Sequence, residues 1–114
     1  MTTESAGVVL SFMKQIIDEH DVDAAISLLA DDFVSHQGTE SSDRAGMEAF
    51  GRWLAEKSPR SRLDVHRVVD DGQLIAVHHT DHHDEHTAVE MVDIFSVTDG
   101  RITECWIVMS GPQT

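Results

Sequence analysis

The sequence predicts an α+β domain in which three N-terminal helices pack in a strongly curved antiparallel sheet. Two observations carry this. Apolar residues in the first half recur at the helical period of about 3.6, and those in the second half at the strand period of about 2. Two Asp-Gly pairs in the second half, Asp71-Gly72 and Asp99-Gly100, fit hairpin turns, which favour glycine because the backbone takes positive φ there. Helices followed by an antiparallel meander place the helices on one face of the sheet.

The first helix is marked by Val9, Phe12, Met13, Ile16 and Ile17, a spacing that forms one apolar stripe. Thr3 or Ser5 is its candidate N-cap, and Glu4 complements the positive end of the helix dipole. Asp21 is the expected N-cap of a second, shorter helix with a stripe of Val22, Ala25, Ile26 and Leu29, ending near Asp31-Asp32. Phe33-Val34-Ser35-His36 reads as a short strand, and Gln37 to Ser42 as a polar loop. A third helix from about Asp43 to Lys57 carries Met47, Phe50, Trp53 and Leu54 toward the core, and Pro59 stops it. Gly46 and Gly51 weaken this helix by up to ~1 kcal/mol each relative to alanine, so packing must supply the difference. Alternation then marks strands at Leu63 to Val69, Leu74 to His82, Thr87 to Val97 and Arg101 to Met109.

Composition narrows the function. The chain has 114 residues, enough for one domain with a packed core. Eight Lys+Arg against 21 Asp+Glu give a formal charge of −13, which argues against nucleic acid and anionic membrane surfaces as partners. No apolar run approaches the ~18 residues of a spanning helix. Cys105 is the single cysteine, so the fold is expected to hold by packing without an internal disulfide. Met1-Thr2-Thr3-Glu4-Ser5 lacks the basic start and apolar stretch of a secretory leader, and a cytoplasmic location is expected.

Hairpin geometry singles out one residue. With Asp99 and Gly100 at the turn, Asp93 is expected opposite Trp106, Met91 opposite Val108, Phe95 opposite Glu104 and Val97 opposite Ile102. Residues opposed in a sheet point to the same side, so Asp93 would sit in an apolar stripe of Met91, Phe95, Val97, Trp106 and Val108. If Asp84-Glu85 forms the preceding turn, His78 faces Met91 and lies roughly 7–8 Å from Asp93 along the diagonal. A slip of one residue puts His79 there instead. Cys105 is expected on the opposite face with Val92, Ile94 and Ile107, where an apolar outer surface suggests an interface between two copies.

Three segments together resemble one family. They are Ala30-Asp31-Asp32-Phe33-Val34-Ser35-His36, Asp71-Gly72-Gln73-Leu74-Ile75-Ala76-Val77-His78, and the run from Val92-Asp93-Ile94-Phe95 through Asp99-Gly100-Arg101-Ile102 to Glu104-Cys105-Trp106. In order and spacing they are similar to the SnoaL-like branch of the nuclear transport factor 2-like superfamily, from the first helix to Pro112. The resemblance implies a single domain over 1–114 with a cone-shaped, cystatin-like fold, an apolar pocket at the wide end and a homodimer formed through the sheet. It also implies chemistry of the polyketide cyclase, isomerase, dehydratase or hydrolase kind, or none. Two departures stand out. The branch often reads Glu-His-Trp-Asp where this chain has Glu104-Cys105-Trp106-Ile107, and the chain has no tyrosine to serve as acid or oxyanion donor.

Asp93 is the candidate base for proton transfer at carbon, since apolar surroundings raise a carboxylate's pKa toward neutrality. His78, or the His36 that the resemblance suggests, would donate to the developing enolate oxygen. The alternative is a structural Asp93 satisfied by backbone amides or the Trp106 indole N–H. Phe33, Phe50, Trp53, Met91, Phe95, Trp106 and Val108 are the candidate pocket walls for an apolar small molecule, with a helical stripe that serves only as core as the competing reading. In the run from His78 to His86, alternation puts His78 and His82 on one side and His79 and His83 on the other. That offers no three-residue set for zinc, and neither metal nor other cofactor is expected. Three functions remain: an acid–base enzyme on a small apolar carbonyl compound, a non-catalytic binding module, or a dimerisation domain with a vestigial pocket.

Overall fold

The computed structural model describes residues 3–109, so Met1, Thr2 and Pro112 of the sequence reading lie outside the described residues. Helix α1 spans Glu4–Lys14, with the Thr3 hydroxyl accepting from the Ala6 amide at 3.0 Å. It buries Ala6, Val9, Phe12 and Met13 and passes into a π-helical turn, Gln15–Glu19. Both Ile16 and Ile17 are buried there, and His20, at φ 56°, ends the turn. Helix α2, Val22–Ser27, starts at the expected cap, Asp21, which accepts from the Ala24 amide at 3.2 Å. It stops earlier than the stripe implies. The Ile102 amide donates to the Leu28 carbonyl at 2.8 Å, and this pairing draws Leu29 into a strand.

That strand, β1 (Leu29–Gln37), turns back into β2 (Glu40–Asp43), so the segment expected as a polar loop is a tight hairpin. Gly38, at φ 61°, supplies the turn. Asp43 caps helix α3 (Arg44–Lys57) by accepting from the Gly46 amide at 2.9 Å. Strands β3 (Arg62–Asp70), β4 (Leu74–His82), β5 (Ala88–Thr98) and β6 (Arg101–Met109) follow the predicted spans closely. The six strands form one curved sheet in the order β2-β1-β6-β5-β4-β3. The meander β3 to β6 is antiparallel as expected, whereas β1 runs parallel to β6, so the sheet is mixed. Its edges are β2, wholly exposed and polar, and β3, mostly exposed and bulged near His66. Among the described residues no helix is long and apolar enough to cross a membrane.

The helices fill the concave side of the sheet. Val9, Phe12 and Met13 meet Ile75, Val77, Phe95, Ile102 and Cys105 there, and the Phe12 and Phe95 rings pack edge to face at 6.3 Å. Of the stripe expected to bury α3, Leu54 is buried and Met47 half-buried. Phe50 and Trp53 remain 45% and 51% exposed and stack on each other. The reason is placement: α3 packs on α2, β1 and β2 and leaves this part of its stripe uncovered.

Two one-residue shifts correct the expected strand register. At the β5–β6 turn Asp99 and Gly100 both have positive φ, as the turn type requires, and Thr98 faces Arg101 and Val97 faces Ile102 as predicted. Then Thr103 bulges out, its hydroxyl contacting the Ser96 carbonyl at 3.2 Å, and Ser96 faces Glu104. From there on Asp93 faces Ile107, Phe95 faces Cys105 and Met91 faces Met109. Trp106 and Val108 therefore stand on the convex face, and Cys105 and Ile107 on the concave one. The second shift is at the β4–β5 tip. The Asp84 carboxylate accepts from the amides of His86 and Thr87 at 2.7 and 2.8 Å, giving a three-residue tip closed by His83 and Thr87. His79 thus faces Met91, and His78 faces Val92 on the convex side.

This register makes the Cys105 thiol a reporter. It is 2% exposed and its burial beside Asp93 raises its pKa, so it should resist a disulfide-exchange reagent such as DTNB until the protein unfolds. Deletion of Thr103 would turn Glu104, Trp106 and Val108 inward, and is expected to abolish cooperative unfolding and leave the thiol freely reactive. Rapid labelling of Cys105 in the native protein would contradict the bulge.

Candidate functional site

Parity along β4 builds the site. Ile75, Val77, His79 and Asp81 alternate with convex-face residues, and all four are buried. His79 has no exposed surface, and its imidazole lies between two carboxylates. Nδ1 is 2.6 Å from Asp81 Oδ1, and Nε2 is 3.1 Å from Asp93 Oδ2. Asp93 is held on β5, in the row of Val77 and Ile107. Its second oxygen, Oδ1, has no protein hydrogen-bond partner.

The three groups set one another's charge. Burial of His79 opposes its positive form, but hydrogen bonds to Asp81 and Asp93, with the charges of both, outweigh it and raise the pKa to about 9. As the imidazolium it donates through both nitrogens, and Asp81 fixes the ring orientation. Asp93 is shifted upward, above the ordinary 3.8, because burial penalises its charge more than the His79 hydrogen bond favours it. The two N–H protons of the imidazolium thus tie it to one oxygen of each carboxylate. The two ring nitrogens point in opposite directions, so the triad does not converge on one ion. Among the described residues no three His, Cys, Asp or Glu side chains are placed to hold a metal.

Asp93 and Asp81 lie on the wall of a cavity of about 410 Å³, within the range of small-molecule sites. Phe12, Met13, Ile16 and Ile17 close it from the helices, and Met91, Phe95, Cys105 and Ile107 form its floor on the sheet. The π-helical turn is what brings the adjacent Ile16 and Ile17 to the same wall. Ser35, Gln37, Ser42 and His83 supply further polar atoms.

Of the residues singled out in the sequence, Asp93, Phe50, Met91 and Phe95 stand on this wall. Phe33 is packed into the core, 1% exposed, and Trp53 stacks on Phe50 outside the cavity. The register shifts carry His78, Trp106 and Val108 to the convex face. His36 is there too, 2.6 Å from Glu104 and stacked on Trp106 at 5.7 Å. His78 contacts Glu90 at 2.6 Å and Arg67 at 2.8 Å. Neither histidine meets Asp93. His79 and Asp81 take that place, and the parity of Ile75 and Val77 was the signal pointing to them.

The SnoaL-like domain description matches residues 9–105. The chain belongs to the SnoaL-like family. No curated protein matches it. Its fold is similar to that of a candidate polyketide cyclase from Streptomyces antibioticus, at 20% identity and a TM-score of 0.79, over 95% of this chain and 93% of the other. An epoxide hydrolase of the LEH-like kind from M. tuberculosis shares 24% identity with a TM-score of 0.79, over 96% and 84%. A candidate hydroxylase from Streptomyces galilaeus shares 17% with a TM-score of 0.81, over 96% and 91%. Cys105 and Ile107, the two positions at which the sequence reading noted a departure, both face the cavity. The carboxylates of this cavity lie on β4 and β5.

A raised histidine pKa has a stability consequence with a definite sign. Native His79 keeps its proton up to about pH 9, while the unfolded chain releases it near the ordinary 6.5. The stabilisation is complete below pH 6.5 and is lost as the pH rises through 9. Thermal unfolding should therefore show Tm falling between these values, and His79→Gln should flatten that dependence while lowering Tm at pH 6.

Proposed function

We propose that this protein performs acid–base chemistry at carbon on a small, apolar carbonyl compound, an aldol closure or an isomerisation, with Asp93 as the base. The observation that carries this reading is the half-satisfied carboxylate: Asp93 lines an apolar cavity with Oδ2 held by His79 and Oδ1 without a protein partner. Burial raises its proton affinity, which suits a base working near neutral pH. His79 and Asp81 are positioning residues behind it. When Asp93 takes the α-proton, its negative charge passes to the substrate enolate, and the His79 imidazolium remains to offset it, so the net charge of the site does not change. The similarity to a polyketide cyclase fold supports the same chemistry.

Exchange of the α-hydrogens of 2-tetralone, a neutral cyclic ketone, in deuterated water tests this directly by NMR. The wild-type protein should accelerate exchange, and Asp93→Asn should lose about 10²–10⁴-fold of that rate while retaining the fold, as checked by circular dichroism. Equal exchange by both proteins would sink the assignment. A second reading, a binding module without turnover, is favoured by the thiol and aliphatic at positions 105 and 107. It predicts that 2-tetralone binds without faster exchange.

We further propose a homodimer through the sheet, and a cytoplasmic location; the apolar convex face supports the homodimer. Val92, Ile94, Trp106 and Val108 share that face, and Val108 is 54% exposed. Ile94→Arg is expected to convert a dimer to a monomer in light scattering after size-exclusion chromatography. A monomeric wild type would remove this proposal.

A further inference from the structure

The cavity has polar groups at two ends of one row across the sheet. Gln37, Ile107 and Asp93 are successive partners on β1, β6 and β5, so Gln37 and Asp93 stand two strand spacings apart, about 9–10 Å. Ser35 lies in the adjacent row with Cys105 and Phe95. The floor between the two ends is apolar. Beyond Gln37 the cavity meets a second recess, bounded by Glu40 and Ser41 and sharing Ser35, Gln37, Ser42 and Ile107 with the first. Gly46 of α3 leaves room for the Ser42 hydroxyl, which a side chain at that position would strike.

Charge is equally one-sided. Among the described residues no lysine or arginine lines either space, while Asp81, Asp93 and Glu40 do. The single His79 imidazolium is already paired with both Asp81 and Asp93, so an anionic compound would add a third negative charge with no further cation to meet it. Gln37 contributes a neutral amide whose Nε2 donates to the Met109 sulfur at 2.7 Å. A thioether is a weak acceptor, so a ligand oxygen can displace it at little cost.

We propose that the cavity takes a neutral, elongated compound with an apolar body and two oxygen functions about 10 Å apart. One oxygen lies beside Asp93, the other against Gln37 and the hydroxyls of Ser35 and Ser42. Gln37 is the residue that selects for this length. The inference deepens the acid–base reading above and rests on Asp93 marking the reacting end.

Three rigid probes of one shape test it by calorimetry at pH 7: 4,4′-dihydroxybiphenyl, 4-hydroxybiphenyl and 4′-hydroxybiphenyl-4-carboxylate. The dihydroxy compound should bind about tenfold more tightly than the monohydroxy one, the gain of one well-made hydrogen bond, and the carboxylate at least tenfold more weakly than the dihydroxy one. Gln37→Leu, at an exposed position, should reduce the first ratio to below twofold, with folding checked by thermal unfolding. Equal binding of the carboxylate, a ratio unmoved by Gln37→Leu, or no binding of any probe would each overturn the proposal. Failure here alongside an Asp93-dependent exchange of 2-tetralone would remove the ligand assignment and leave the base in place.

Discussion

A strand has two faces and no third option, so a single extra residue decides what lines the hollow of this fold. Thr103 is that residue. It lets the Asp99-Gly100 turn keep its favoured geometry while the rest of β6 is set one position out of step. Cys105 and Ile107 then meet the helices, and Glu104 and Trp106 meet His36 on the far side. Without the bulge, a glutamate and an indole would compete for the space that α1 fills with Phe12 and Met13. The floor of the cavity and the isolation of Asp93 from Trp106 both follow from the same local insertion.

Charge burial is the other constraint. Two carboxylates and an imidazole held within the sheet are costly to desolvate, and their mutual hydrogen bonds offset that cost only when geometry is good. Each nitrogen of His79 has a carboxylate, and Asp81 and Asp93 each have one oxygen on the ring. The remaining oxygen of Asp93 is left without such compensation. Natural cores rarely leave such an oxygen without a partner from the protein, water or a ligand. The neighbouring thiol of Cys105 is shifted the other way from reactivity, since burial and the negative charge of Asp93 both disfavour a thiolate.

Much of the architecture was legible because periodicity and turn chemistry are local. The spans of β3 to β6, the cap at Asp21, a cap at Thr3 or Ser5 and the fold class could be read from residue types within a few positions. The α1 stripe could be read in the same way, although not its π-helical turn. What could not be read were features set by contacts distant in sequence. Leu29 continues the α2 pattern but is claimed by pairing with β6, and β1 lies parallel to that strand, a pairing with no local signature. The site shows the same division. Asp93 was conspicuous as a charge in an apolar stripe, whereas its partner depended on counting residues around two turns. Thr103 carries no compositional mark of a bulge. Asp84 does have a mark, because a carboxylate that can capture two following amides lengthens a tip by one. Counting inward from the buried pair Ile75 and Val77, without reference to the turn, reaches His79 and Asp81 directly.

The two borders of the sheet differ in length but share a property. The outer strand β2 is four polar residues, and the other, β3, mixes arginine, aspartate and histidine with its valines and is interrupted by a bulge. Such borders offer a poor template for further main-chain pairing, by which sheets otherwise grow into filaments. Despite exposed Val65, Val68 and Val69, the ribbon is thereby protected against runaway lateral polymerisation.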